Sequence, residues 1–338
     1  MVEARYYTKE EELVTCILCP HNCIIKEGRS GICGARHNNG KILVSLNYGM
    51  VSALKSDPVE KKPLYHFCPG MDILSLGSYG CNMKCRFCQN HHISQFCFDK
   101  LTAPMQPVSP AEIVGKAKAA PNNAGLAFTY NEPLVWFEYM LDIASLAKEH
   151  NLKTAMITNA YINAEPLSEL IGFIDAFNID LKAFDDNFYR QQTGARLADV
   201  LSSIKTVSRS GKHLELTMLV IPGLNDNEDR FREMMQWIKD NCNNNVVLHL
   251  SRYFPSYKSD QAVTPDKMLL EMYNTALSYI GNVYLGNTSL ATGRNTWCPS
   301  CNKLLIERKG YTISIPGINK EKKCNSCGAD LAAYITFL

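Results

Sequence analysis

The sequence predicts an α/β fold: an open, partial (β/α)6 TIM-like barrel with a cysteine-rich segment at either end. Three observations lead there. Short β-type runs alternate with amphipathic helical runs in units of about 30 residues, the pattern of a parallel sheet with right-handed crossovers. Six such units are visible, too few to close an eight-stranded barrel. The 14 cysteines gather at residues 16–33, 81–88 and 298–327, with Cys68, Cys97 and Cys242 outside these groups.

In chain order, the first segment spans residues 1–67. "CILCPHNCIIKEGRSGICGAR" sets Cys16, Cys19, Cys23 and Cys33 at C-x2-C-x3-C-x9-C spacing, ahead of the β-type runs KILVSLNYG and MVSAL. Four thiolates close a tetrahedral zinc site and hold together a segment poor in large apolar residues. An iron–sulfur cluster is the rival reading.

The barrel occupies residues 68–290, with strands DILSLGS, GLAFTY, KTAMIT, DAFNIDLK, LELTMLVIP and NVVLHLS. The helical run SPAEIVGKAKAA opens on a capping box, Ser109 and Glu112, with Pro110 at the first helical position. PLVWFEYMLDIASLAKEH, LADVLSSIKTVSRS, NEDRFREMMQWIKDNC and TPDKMLLEMYNTALSYI keep apolar residues at helical spacing. The last segment, 291–338, places Cys298/Cys301 and Cys324/Cys327 as two C-x2-C knuckles around a strand-rich stretch. That spacing predicts a zinc ribbon or rubredoxin-like unit, a structural cap because a closed four-thiolate site keeps no open position.

The totals exclude several classes. Net charge is +2 and no basic block exceeds a few residues, so neither a nucleic-acid surface nor a polybasic membrane patch is indicated. The charged start, MVEARYYTKEEELVTC, does not read as a signal peptide, and no run approaches the ~20 apolar residues of a membrane span. The chain reads as cytoplasmic, where clustered thiols imply metal rather than disulfides.

In a parallel α/β sheet, functional residues gather at the C-terminal strand ends. Strand one leads into "GSYGCNMKCRFCQNHH", with Cys81, Cys85 and Cys88 at C-x3-C-x2-C and no nearby fourth ligand except Cys97. Strand two ends in TYNEP, strand three in Thr158 and Asn159, and strand four in Asp180 and Lys182 on one face. Strand five runs into IPGLND, with Gly223, and strand six into HLSRYFP, with His249, Ser251, Arg252 and Tyr253. A [4Fe–4S] cluster on three thiolates leaves one iron open, able to chelate a small molecule through an amine and a carboxylate. Cys97 as a fourth ligand would close that iron. Cys242 reads as a small buried hydrophobe.

The triad, with Phe87 before its last cysteine, resembles the signature of the radical S-adenosylmethionine superfamily, over about residues 70–285. TYNEP looks like the glycyl-radical (pyruvate formate-lyase type) activating branch. "CILCPHNC", "SLNYGMVSALKSDPVEKKPLYHFCPG" and "GNTSLATGRNTWCPSC" resemble the radical enzyme of the AmmeMemoRadiSam system, which extends the likeness to nearly the whole chain. The resemblance implies that S-adenosylmethionine binds the open iron, accepts an electron and breaks at C5′–S, yielding a radical that takes hydrogen from a substrate. It implies cofactor contacts from Asn131 and Glu132 to the methionine amino group, from Asp180 and Lys182 to the methionine ends or ribose, and from Gly223 to the adenine. Tyr79, Thr158, Asn159 and Arg252 complete the expected contacts, and His91 and His92 stand where they could tune the cluster.

Implied partners are a reductant such as flavodoxin or ferredoxin, a protein, peptide or small-molecule substrate, and other proteins of the AmmeMemoRadiSam system. A different class is also open: a non-catalytic iron–sulfur electron carrier or a zinc-rich interaction scaffold. Both terminal segments are expected on or near the active-site side of the barrel, shaping access for substrate.

Overall fold

The computed structural model describes residues 2–10, 13–40, 42–96, 98 and 106–338. Its first part holds β1 (Val2–Glu3), β2 (Tyr7–Glu10), β3 (Leu13–Cys16), β4 (Ile24–Ile25), β5 (Arg36–Asn38) and β6 (Leu43–Ser45). These short strands form two antiparallel sheets, β1-β6-β5 and β2-β3-β4.

The main sheet follows in strict chain order: β7 (Ala53–Pro58), β8 (Asp72–Gly77), β9 (Asn123–Phe128), β10 (Lys153–Thr158), β11 (Ala176–Asp180), β12 (His213–Val220), β13 (Val247–Arg252) and β14 (Asn282–Gly286). β8 to β14 run parallel and β7 pairs antiparallel to β8. The six predicted strands are β8 to β13, and the sheet extends one strand beyond them on each side. Helix α1 (His91–Ser94) lies in the cysteine loop. The crossovers carry α2 (Pro110–Ala119), α3 (Phe137–Glu149), α4 (Ala164–Ile171), the single turn α5 (Asp186–Phe188), α6 (Leu197–Arg209), α7 (Glu228–Asn241) and α8 (Asp266–Leu277).

Local chemistry explains these boundaries. α2 starts on the predicted box: Glu112 N donates to Ser109 Oγ at 3.3 Å and Ser109 N donates to Glu112 Oε2 at 2.8 Å. Asn227 caps α7 by accepting from Arg230 N at 3.0 Å. Helices cover the sheet, so the central strands are buried along most of their length and read as continuous apolar runs.

The chain closes with β15 (Thr296–Trp297), β16 (Leu304–Lys309) and β17 (Thr312–Ser314) in one small antiparallel sheet. The two terminal segments lie at opposite ends of the barrel. The N-terminal one meets the cysteine loop, with His21 Nε2 donating to Asn82 O at 2.7 Å. The C-terminal tail instead packs where strands begin: Tyr334 Oη donates to Asn282 Oδ1 at 2.6 Å, and His213 Nδ1 meets Thr336 Oγ1 at 3.0 Å. The tail thus departs from the expectation that both ends sit on or near the active-site side, while Tyr311 of the same C-terminal segment does line the central cavity.

Residues 59–68 cross the barrel's lower end, tied down by one carboxylate. Glu215 accepts from Tyr65 N (2.9 Å), His66 N (2.8 Å), His213 Nε2 (2.9 Å) and His249 Nε2 (2.5 Å). Burial disfavours its charge, but the two histidines outweigh that and hold it well below the usual carboxylate range. His66 is buried beside it, its Nδ1 donating to Tyr334 O (3.1 Å) and its Nε2 accepting from Tyr284 Oη (2.6 Å). That pairing suits the neutral ring, and burial lowers its pKa from 6.5 to about 3. Below pH 6.5 the unfolded chain therefore binds a proton that the folded chain refuses, and stability falls with pH until about 3. We expect urea denaturation to show a loss between pH 6.5 and 5 that is larger by about 2 kcal/mol in the wild type than in His66→Gln. Equal losses would remove His66 as the cause.

Candidate functional site

The loop after β8 is held in place before any ligand binds. Asn131, just beyond β9, accepts from Ser78 N at 2.9 Å and donates to Gly80 O at 2.8 Å. Gly80 has φ +93°, and a Cβ there would sit 2.5 Å from the Cys33 carbonyl oxygen. Further on, Lys84 N and Arg86 N donate to Thr193 O (2.7 Å) and Gln192 O (3.0 Å), while Phe87 packs on Phe188. Asn90 Nδ2 donates to Tyr130 O at 2.6 Å. Sulfur acceptors are partly served: Met83 N lies 3.4 Å and Asn159 Nδ2 3.8 Å from Cys81 Sγ, and Ser94 Oγ lies 3.2 Å from Cys88 Sγ.

Cys81, Cys85 and Cys88 open onto a cavity of about 500 Å³ at the C-terminal strand ends. Of the residues expected to contact a cofactor, Asn131, Glu132, Thr158, Asn159, Asp180 and Lys182 line it. Glu132 is fully engaged: it accepts from Thr158 Oγ1 (2.7 Å), Asn159 N (2.8 Å) and Leu134 N (3.1 Å), joining the ends of β9 and β10. Burial lifts its pKa to about 7 against the pull of those donors. Lys182 Nζ pairs with Asp180 Oδ2 at 2.9 Å. Burial opposes that ammonium, but Asp180 and its neighbours hold it above its ordinary range.

Three predicted contacts lie elsewhere. The Tyr79 ring packs at a tilt against Phe96, centroids 4.6 Å apart, and Gly223 sits in an exposed turn, its N–H donating to Asp226 Oδ1 at 2.9 Å. Arg252 pairs with Asp266 at the start of α8, and strand alternation gives the cavity Ser251 in its place. The His91 ring stacks on Tyr257 at 4.6 Å, and Cys97 lies outside the described residues. Cys68 is buried, its N–H donating to Thr336 O at 2.7 Å, and Cys242 is half-buried at the end of α7.

Sequence reasoning missed much of the remaining wall. Thr217 and Leu219 alternate on β12, and Asn287 follows β14. Lys61, Lys62 and Pro63 come from the crossing segment and Tyr311 from the turn between β16 and β17. Both lysines bond one carboxylate, Asp57, at 2.8 and 2.7 Å, and Tyr130 Oη donates to it at 2.8 Å. This wall therefore carries one positive charge in excess.

The two four-cysteine sets differ. Cys298 Sγ lies 3.8 Å from Cys327 Sγ, and Cys301 Sγ 3.7 Å from Cys324 Sγ. All four ligand atoms fall within 4.8 Å of one another. A tetrahedron with metal–sulfur bonds of about 2.3 Å has edges of about 3.8 Å, so this set fits one tetrahedral ion. Cys16, Cys19, Cys23 and Cys33 line one small cavity together with Arg36, His21 and Asn82, but they do not form so tight a group. No helix among the described residues is long and apolar enough to cross a membrane.

A model of the radical SAM superfamily matches residues 76–238, which include the cysteine loop. An uncharacterized protein of Methanocaldococcus jannaschii is 40% identical over 332 residues, covering 97% of this chain and 98% of that protein. The 4-hydroxyphenylacetate decarboxylase activating enzyme of Clostridioides difficile is 27% identical over 166 residues, 46% of this chain and 52% of that enzyme. The match thus spans about half of that relative's length. Among solved structures, a radical SAM methyltransferase from Sphaerobacter thermophilus aligns with a TM-score of 0.52 at 12% identity, covering 64% of this chain and 66% of that one. That likeness is one of fold.

Proposed function

Because the chain belongs to the radical SAM superfamily, we propose that it is a hydrogen-abstracting enzyme with a [4Fe–4S] cluster on Cys81, Cys85 and Cys88 and S-adenosylmethionine in the adjoining cavity. One observation carries this reading: three thiols on a clamped loop share a cavity of about 500 Å³ with the polar ends of β9, β10 and β11. The donor set suits the group, since among the described residues three cysteines, Cys81, Cys85 and Cys88, line the cavity. When bound, the pair supplies one-electron cleavage of the sulfonium and an acceptor for a substrate hydrogen atom.

The chain's own residues then have separable tasks. Asn131 spends both side-chain polar atoms on the loop, so it positions the cluster ligands. Asp180 and Lys182 offer both signs of charge to a zwitterionic methionine end. Glu132 fixes the register of the β10 end beneath them. A low-potential flavodoxin or ferredoxin is the fitting electron source, and the division into three parts at residues 67/68 and 290/291 is kept with the first part lending β7 to the main sheet and Lys61, Lys62 and Pro63 to the cavity.

The dibasic wall favours a substrate, small molecule or peptide, that bears a carboxylate or another anionic group. Reduced, anaerobically reconstituted protein should release 5′-deoxyadenosine and methionine; their absence would overturn the catalytic reading. Stimulation of that release by cell extract should reside in fractions retained on anion exchange. Losing one charge-assisted contact is worth about 1.5–3 kcal/mol, so Lys62→Met should weaken the stimulation about 10- to 100-fold. Stimulation by unretained fractions alone would sink the anionic assignment.

A further inference from the structure

Cys16, Cys19, Cys23 and Cys33 all line one small cavity beside the cysteine loop. β3 delivers Cys16, whose N–H donates to Cys23 O at 2.9 Å; Cys19 begins the turn closed by Asn22 N at 3.0 Å. Cys33 comes from the next turn, where Gly31 N donates to Arg36 O at 2.9 Å. The backbone so gathers four thiols from β3 and the loop segments that follow it. Zinc would draw the sulfurs to about 3.8 Å apart, as at the C-terminal set. Yet among the described residues the group with all ligand atoms within 4.8 Å is the C-terminal one.

Arg36 supplies an independent observation. Its side chain lines the same cavity and the residue is 1% exposed. Nη1 bonds Glu138 and Nη2 bonds Arg5 O, but Nε has no acceptor. A buried donor left unmade costs about 1–3 kcal/mol, more when charged. An anionic metal–thiolate group seated among the thiols would satisfy it.

We infer that this cavity holds a second polynuclear iron–sulfur cluster, ligated by Cys16, Cys19, Cys23 and Cys33 and bonded by Arg36, which relays electrons to the cluster on Cys81, Cys85 and Cys88. The relay rests on the reading of the triad given above. Asn82 forms a wall of the N-terminal cavity and follows Cys81 in the chain. Asn159 Nδ2 spans Asn82 Oδ1 (3.0 Å) and Cys81 Sγ (3.8 Å), so Asn82 adjoins the N-terminal cavity on one side and the cysteine loop's contacts on the other. Four thiolates leave the second cluster no open iron, which suits electron transfer and not ligand chemistry. A reduced ferredoxin- or flavodoxin-type carrier gives it one electron and is oxidised. The cluster passes that electron on and returns to its oxidised state, with no proton moved.

Anaerobically purified wild-type protein should contain about eight irons and one zinc per chain. About four irons and two zincs would overturn the inference, without reference to activity or to any variant. The variant C81A/C85A/C88A should keep about four irons and give a paramagnetic signal on reduction by ferredoxin. An iron-free, folded variant would refute the second cluster. A cluster reduced by dithionite but not by ferredoxin would refute its role in electron entry. Iron retained there alongside an inactive wild type would separate this inference from the catalytic one.

Discussion

Replacing Cys81, Cys85 or Cys88 singly with Ala is expected to remove about four irons per chain and all detectable 5′-deoxyadenosine. Two thiolates cannot hold a cubane with a defined open iron, so the loss should be of the whole reaction rather than a fraction. The fold should survive. The loop is anchored through Asn131, Asn90, Lys84 N and Arg86 N, none of which needs the sulfurs. Circular dichroism and the urea midpoint should therefore stay near wild type while absorbance near the cluster bands falls. Cys97→Ala should leave iron and product formation intact. A Cys97→Ala protein that lost iron, or a Cys85→Ala protein that still cleaved S-adenosylmethionine, would defeat the account of a three-thiol site.

What the sequence showed of this site follows from periodicity. β8 to β13 were legible because each apolar run is long and is separated from the next by a helical pattern. β14 was not, since NVYLG is five residues directly after the end of α8. β7 was read only at its start, through MVSAL, and was placed in the first segment: ALKSDP is an edge strand with polar, partly exposed side chains, and its partner lies across a connection rather than in an alternating unit. Strand-end chemistry was readable where alternation fixed the face, as for Asp180 and Lys182. It failed by one position at β13, where Ser251 faces the cavity and Arg252 turns to Asp266. Lys61, Lys62 and Tyr311 reach the cavity by tertiary packing, which no local pattern encodes. Glu215 did leave a trace: a lone carboxylate in the apolar run LELTMLV must find donors if buried, and it finds four.

Stripping the C-terminal metal, by chelation or by Cys301→Ser, is expected to unfold residues 296–338 and to damage substrate turnover before cofactor cleavage. That segment's core is small, formed by Leu305, Ile306, Leu331 and Ile335 around two of the cysteines, so an ion on the four thiols would supply much of its stability. Comparable zinc modules gain about 10–16 kcal/mol from the metal. The damage should reach the cavity through Tyr311, which lines it directly, and through the crossing segment. Arg308 Nη2 donates to Tyr65 O at 2.7 Å, its guanidinium lies 4.2 Å above the Tyr65 ring, and Tyr334 O holds His66. Tyr65 and His66 in turn anchor the segment that carries Lys61, Lys62 and Pro63 into the cavity wall. Freed from the ribbon, that wall loosens, while Cys81, Cys85, Cys88, Asp180 and Lys182 belong to strand ends the ribbon does not touch. Hydrogen exchange should accordingly rise in residues 59–68 as well as in the ribbon, and substrate-stimulated release of 5′-deoxyadenosine should fall by more than the uncoupled rate. Equal losses of both rates, with the barrel still folded, would show that the ribbon supports the cofactor site itself and not the substrate wall.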